Sequence, residues 1–195
     1  MDFTEEIKGH VLEYLDEPHV YLVDGVIVPS ITQILKYKFG GQYAGVSKKV
    51  LQDAADKGTE VHEAIERWCK TGEESDLPEV RNFRFLMKKY EFQVDYNEIP
   101  VILFKNDKPI AAGRMDLIIS MGQELGVADI KRTYKLNKEY LAYQLNLYRI
   151  AFQQCYGENI TFLRGVHLRE DVRKFVEIPI DEEMAWQLVE EYFYE

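Results

Sequence analysis

The strongest constraint in this chain is a change of hydrophobic period. From about Ser47 to about Phe92 apolar residues recur at helical spacing. From Val94 to Ile130 three strand-like runs follow one another, Val94 to Phe104, Ile110 to Ile119 and Leu125 to Ile130. They are separated only by turn-forming residues at Asn106-Asp107-Lys108 and Met121-Gly122-Gln123. Helical spacing returns from Asn137 to Tyr156, with Leu141, Leu145, Tyr148, Ala151 and Phe152 on one face and Gly157 to close it. Two further strands are predicted over Ile160 to Leu168 and Arg173 to Ile180, then a final helix whose acidic start at Asp181 suits the helix dipole. The order α-β-β-β-α-β implies an α/β fold, a mixed central sheet flanked by helices on both faces.

Ahead of this core, His19 to Ser30 reads as a hairpin around Asp24-Gly25, and Ser30 with Gln33 forms a capping box for a short helix. A second helical stretch spans about Ser47 to Lys70, with a bend expected near Gly58 and an apolar stripe of Val61, Ile65, Trp68 and Cys69. Pro78 suits the first turn of the helix that leads into the strands. With 195 residues and 46% hydrophobic content, one domain is expected. Within it lie a hairpin and helical region (19–75), the core (76–180) and an acidic C-terminal helix (181–195).

Composition excludes several classes. No run of 18 apolar residues is present, and the opening Met-Asp-Phe-Thr-Glu-Glu lacks a signal-peptide layout, so a cytoplasmic protein without membrane contact is expected. Cys69 and Cys155 are too few for a four-thiolate metal site. A net charge of −10 argues against nonspecific coating of nucleic acid, yet basic residues cluster. Lys36, Lys38, Lys48 and Lys49 fall in one acid-free stretch, Arg81, Arg84, Lys88 and Lys89 in a second; Lys131, Arg132, Lys135 and Lys138 form a third cluster. Seven acids and no base occupy Phe175 to Glu195.

Charges inside the predicted sheet carry the chemistry. Asp116 lies in Gly113-Arg114-Met115-Asp116-Leu117, and Asp129 and Lys131 lie in Gly126-Val127-Ala128-Asp129-Ile130-Lys131. A carboxylate in a sheet interior is costly unless a cation or donor meets it. Asp129 and Lys131, two apart on one strand, share a face. Hard carboxylate oxygens suit Mg²⁺ or Mn²⁺, and such an ion neutralises a phosphate and makes water more acidic, which is what phosphodiester hydrolysis needs. The Ile130 carbonyl can add a ligand, and His62 lies at the rim of its helix's apolar stripe as a nitrogen ligand. Gln144 and Tyr148, i and i+4, share a helix face, where Gln144 can hold water or a phosphate oxygen. For each residue alone a blander role exists: an edge salt bridge, a surface histidine, a core tyrosine.

Together, His62, Asp116, Asp129-Ile130-Lys131 and Gln144-Leu145-Asn146-Leu147-Tyr148 resemble, in order and approximate spacing, the motifs of the PD-(D/E)XK nuclease superfamily. The likeness is to its RecB-like exonuclease branch, including small phage and mitochondrial exonucleases. The stretch Val28 to Leu35 resembles a segment preceding the core in those enzymes. The resemblance spans roughly residues 19 to 180. It implies a restriction-endonuclease-like αβββαβ core and a Mg²⁺- or Mn²⁺-dependent DNA exonuclease using one or two ions, in phage-type recombination or DNA end processing. Asp116, Asp129, Lys131 and Gln144 would be catalytic. His62, Asp116, Asp129 and the Ile130 carbonyl would hold metal, with Glu98 and Tyr148 as additional candidates. Lys36, Lys38, Lys48, Lys49, Arg81, Arg84, Arg132 and Lys135 would track DNA. Met115 stands where many members carry proline, and the cysteines of iron–sulfur relatives are missing, so no cluster is implied. A strand-annealing recombination protein would be a partner. An endonuclease for branched or nicked DNA, and a catalytically silent DNA- or partner-binding module of the same fold, are the alternatives.

Overall fold

The computed structural model describes residues 2–41 and 45–194. Two sheets and five helices build it. The first sheet is antiparallel and four-stranded, β1 (Phe3–Ile7), β2 (His10–Leu15), β3 (Val20–Val23) and β4 (Val26–Val28), in sequential order. The Asp24-Gly25 turn has φ of 51° and 76°, the pairing of positive values a two-residue hairpin loop requires. Strands β1 and β2 lie ahead of His19, where the sequence pattern predicts no element. Their loop, Lys8-Gly9, uses the same geometry (φ 55° and 79°) without the usual Asn or Asp, and Glu5, Glu6 and Glu13 break up the apolar pattern.

Ser30 caps α1 (Ile31–Phe39) through a complete capping box: its hydroxyl accepts from the Gln33 N–H at 3.0 Å, and the Gln33 side chain accepts from the Ser30 N–H at 2.7 Å. Ser47 caps α2 (Lys48–Thr71), which stays helical through Gly58 and ends on left-handed Gly72. Pro78 opens α3 (Pro78–Tyr90). The chain then enters β5 (Phe92–Lys105), β6 (Lys108–Met121) and β7 (Glu124–Lys131), each longer than its apolar run suggested. Asn137 caps α4 (Lys138–Tyr156) by accepting from the Tyr140 N–H. It is followed by β8 (Ile160–Leu168), β9 (Arg173–Ile178) and α5 (Glu182–Tyr194).

Strands β5 to β9 form the second sheet in sequential order, antiparallel except where β8 joins β7 in parallel after the α4 crossover. One face packs on α1, α4 and α5 through Ile34, Leu145, Ala151, Leu188, Met115 and Val127. The other packs on α2 and α3 through Val61, Ile65, Phe83, Leu117, Ala128 and Val166. A third cluster joins the first sheet to β5 and β6 through Leu12, Val23, Ile102 and Ala112. The expected mixed α/β arrangement with helices on both faces is therefore observed. No helix among the described residues is long and apolar enough to cross a membrane.

Gly126 in β7 lies under Phe162 of the neighbouring strand, where a Cβ would come within 2.1–2.5 Å of three ring atoms. Gly126→Ala is expected to destabilise the fold by about 1–3 kcal/mol through overpacking. The check is a lower urea midpoint at unchanged m-value.

Candidate metal centre

The candidate centre forms where the two middle strands part. Paired positions between β6 and β7 run from Met121↔Glu124 to Leu117↔Ala128 and stop. Beyond them β6 continues with β5, and β7 continues with β8. Asp116 and Asp129 are the first residues past this fork. The Asp116 carboxylate spans it, Oδ2 accepting from the Ile130 N–H at 2.7 Å. That N–H has lost its strand partner, so the carboxylate replaces a ladder bond.

His62 comes from α2 on the opposite layer. Its Nε2 lies 3.1 Å from the Ile130 carbonyl, which can only accept, so Nε2 carries the proton. In the neutral ring this leaves Nδ1 as a lone pair 3.6 Å from Asp116 Oδ2. Two acceptors then face one another, an arrangement a cation resolves, and the carbonyl fixes the tautomer as metal-bound histidines require.

Glu98 completes the group. The pairs Asn97↔Leu117 and Ile99↔Met115 put it opposite Asp116 across the β5–β6 ladder. Ligand atoms of His62, Glu98 and Asp116 all lie within 4.8 Å of one another. Glu98 holds φ of 52°, a left-handed conformation costing a residue with a Cβ about 1–2 kcal/mol. Such strain concentrates at functional sites. Its carboxylate also meets Arg114 Nε at 2.7 Å. The sequence reading made Glu98 only an additional candidate and gave Arg114 no role. The available signal was the position of Arg114, two residues before Asp116 on the same strand.

Asp129 stands outside this trio. It is nearly fully buried, and its Oδ2 is 2.5 Å from Lys131 Nζ, so the shared face expected for the pair is present. Burial, and then the Asp116 charge, push the Asp129 carboxyl up to about 6, with Lys131 opposing. Burial pulls the Lys131 amine down, but Asp129 and Asp116 outweigh it and hold the amine above its ordinary value. Lys131 is thus an ammonium ion, suited to orienting and to stabilising negative charge rather than to taking a proton. Burial, then Asp116, push Glu98 up to about 7 against the pull of Arg114 and His62.

From α4, buried Gln144 presents an Oε1 that meets no hydrogen-bond donor. Tyr148, one turn on, is buried over Gly113, where an added Cβ would lie 3.1 Å from the ring. Burial first, with nearby Tyr21 and then Asp116 and Asp129, holds the Tyr148 phenol well above its usual value, so it stays protonated. The donor set of one imidazole and two carboxylates fits Mg²⁺ or Mn²⁺.

The basic candidates differ in availability. Lys36, Lys38, Lys48, Lys49, Arg81 and Lys135 are exposed. Lys38 lies 5.2 Å from the Tyr143 ring. Arg84 pairs with Glu74 at 2.5 Å and lies over Trp68. Arg132 is engaged inside the fold, its Nε 2.7 Å from the buried Glu79 carboxylate.

No protein-family model matches this chain, and no curated protein matches it. A solved structure titled "Crystal structure of SSO0001" is similar over 84% of this chain and 74% of its own, at 17% identity and a TM-score of 0.48. A likeness so distant carries no argument about chemistry.

Crowded carboxylates should leave a pH signature in the metal-free protein. Glu98 and Asp129 have folded values raised above their ordinary 4.5 and 3.8. Their contribution to stability is therefore full in acid below those ordinary values and is lost as pH rises through about 6 to 7. Glu98→Gln removes one of these charges, and Arg114, partly exposed, can be solvated in its place. With chelator present, this variant should melt above the wild type at alkaline pH and converge with it in acid. Added Mn²⁺ should raise the wild-type melting temperature more than the variant's; melting curves across pH check both.

Proposed function

We propose that this chain is a Mg²⁺- or Mn²⁺-dependent deoxyribonuclease acting as an exonuclease on DNA ends, built on a restriction-endonuclease-like core. The order α3-β5-β6-β7-α4-β8 supports this reading of the core. One observation carries the reading: His62, Glu98, Asp116 and the Ile130 main chain converge at the β6–β7 fork beside the buried Asp129–Lys131 pair. Each carboxylate has a local partner, but gathering the three is costly, since each is expensive to bury near the others.

A divalent ion held by His62, Glu98 and Asp116, with Asp129 and the Ile130 carbonyl adjacent, would withdraw charge from a phosphoryl oxygen and acidify water. The protein's own groups do the rest. Hydrolysis joins the oxygen of water to phosphorus and breaks the bond to the departing nucleotide, whose oxygen takes up a proton. Charge on the phosphoryl oxygens peaks between these events, and the Lys131 ammonium stands where it can offset that charge. Asp129 keeps Lys131 protonated and in place. Gln144 offers its unpartnered Oε1 to a water proton, which orients the nucleophile. The Tyr148 hydroxyl, fixed as a donor, can bond a phosphate oxygen. Arg114, held by Glu98, supplies a second cation at the rim.

Lys131→Ala should lower cleavage of linear DNA by about 10²–10³-fold, the usual cost of losing one group that stabilises transition-state charge. Asp116→Ala should abolish both cleavage and the Mn²⁺ heat seen by calorimetry. Circular dichroism should show the fold of each variant retained. Wild-type rates in either variant would remove the assignment. Linear, closed-circular and branched substrates set the mode: an exonuclease leaves the closed circle intact, and cutting it would favour an endonuclease.

A further inference from the structure

Three residues beyond Lys131 the chain exposes a tyrosine with no role in packing. Tyr134 is 90% exposed, although the segment leading into it is firmly anchored. Arg132 is tied to buried Glu79 on α3, and the Thr133 carbonyl accepts from His167 Nε2 of β8 at 2.7 Å. The tyrosine is therefore held out into solvent by a fixed backbone. The Arg169 guanidinium, at the end of β8, lies 5.1 Å from its ring centroid.

A second pair repeats the arrangement. Phe85 of α3 is 43% exposed, and Arg173, at the start of β9, lies 3.8 Å from its ring centroid. Both arginines sit at one tight hairpin turn, Arg169 within it and Arg173 just after it, closed by Arg169 N–H to Val172 O at 2.9 Å and Val172 N–H to Arg169 O at 3.3 Å. Asn82, one helical turn before Phe85, donates to the Arg169 carbonyl at 2.8 Å and locks α3 to that turn. The surface thus carries two exposed aromatic rings, each backed by a guanidinium, on elements cross-tied to one another. Chain geometry keeps the Tyr134 backbone within about 11 Å of Lys131.

We propose that Tyr134 and Phe85, each backed by an arginine of the β8–β9 turn, form a stacking surface for unpaired bases of single-stranded DNA running to the metal centre. An exposed cation–π pair adds little to folding. A ring held in water beside a guanidinium matches the chemistry of a base joined to a phosphate. Stacking is open only to bases freed from pairing, because a duplex hides their faces. Glu170 and Asp171 at the turn are exposed acids, so affinity here comes from stacking rather than from net positive charge. The inference rests on the nuclease reading for the identity of the strand and goes beyond it in naming the substrate as single-stranded.

The test measures binding apart from cleavage. Fluorescence anisotropy of the full chain in chelator, at low salt, follows an oligo-dT strand, an abasic strand of equal length, and a blunt duplex. Tyr134→Ala and Phe85→Ala should each weaken oligo-dT binding roughly 5- to 150-fold, the range for loss of one base–aromatic stack. Tyr134→Trp, which keeps a stacking ring, should restore it. Abasic and duplex binding should be the same in wild type and variants. Unchanged oligo-dT affinity in both alanine variants, or equal losses on the abasic strand, overturns the proposal. Because no cleavage is read, a chain that discriminates oligo-dT through Tyr134 yet cuts nothing would sink the nuclease reading and leave this surface standing. A chain that cuts DNA while Tyr134→Ala and Phe85→Ala bind normally does the reverse.

Discussion

The hydrogen bond from the Ile130 N–H to Asp116 Oδ2 holds the centre of this molecule together. It lies where β6 turns from β7, at a point inside the sheet where a main-chain N–H would otherwise go unsatisfied. Leaving such a group bare costs about 1–3 kcal/mol. Asp116 answers that demand with one carboxylate, and the same oxygen faces His62 Nδ1. A structural need of the sheet thereby places an anion at the mouth of a gap. The Ile130 carbonyl, on the other side of the same residue, orients the imidazole that faces it.

Around that bond the charges do not balance comfortably. Glu98, Asp116 and Asp129 press together, and Arg114 and Lys131 offset them only in part. Burial and mutual repulsion drive Glu98 to about 7 and Asp129 to about 6. Glu98 adds a left-handed backbone conformation in the middle of a strand. A fold selected only for stability would replace such groups with apolar ones. Under the proposed metal-dependent function, a divalent cation would relieve the repulsion.

Much of the architecture was legible because its signals are local. Ser30 with Gln33, Ser47, Asn137, Gly72 and Gly157 mark helix ends through bonds made within a few residues. The Asp24-Gly25 and Asn106-Asp107 turns mark hairpins for the same reason. Strands β1 and β2 were not legible: their Lys8-Gly9 loop is an unusual choice, and Glu5, Glu6 and Glu13 face solvent, where they mask the alternation. In the centre, His62, Asp116, Asp129 and Lys131 were recognisable by type and order. The importance of Glu98 was not, because it arises from a register across β5 and β6 that no single segment encodes. Arg132 looked like its basic neighbours, yet it serves a buried partner, Glu79, 53 residues away.

What the sequence by itself determined is whatever covalent geometry settles over a few residues: the elements and their ends, Asp129 beside Lys131 on one strand face, Gln144 and Tyr148 on one helix face. Only the tertiary structure decided that His62 meets Ile130 across 68 positions, that Glu98 joins His62 and Asp116 while Asp129 turns to lysine, and that Tyr134 stands exposed beside Arg169. The physical reason is that distant segments meet where burial of the three apolar clusters places them. That outcome is summed over the whole chain and is not written in the neighbourhood of any one residue.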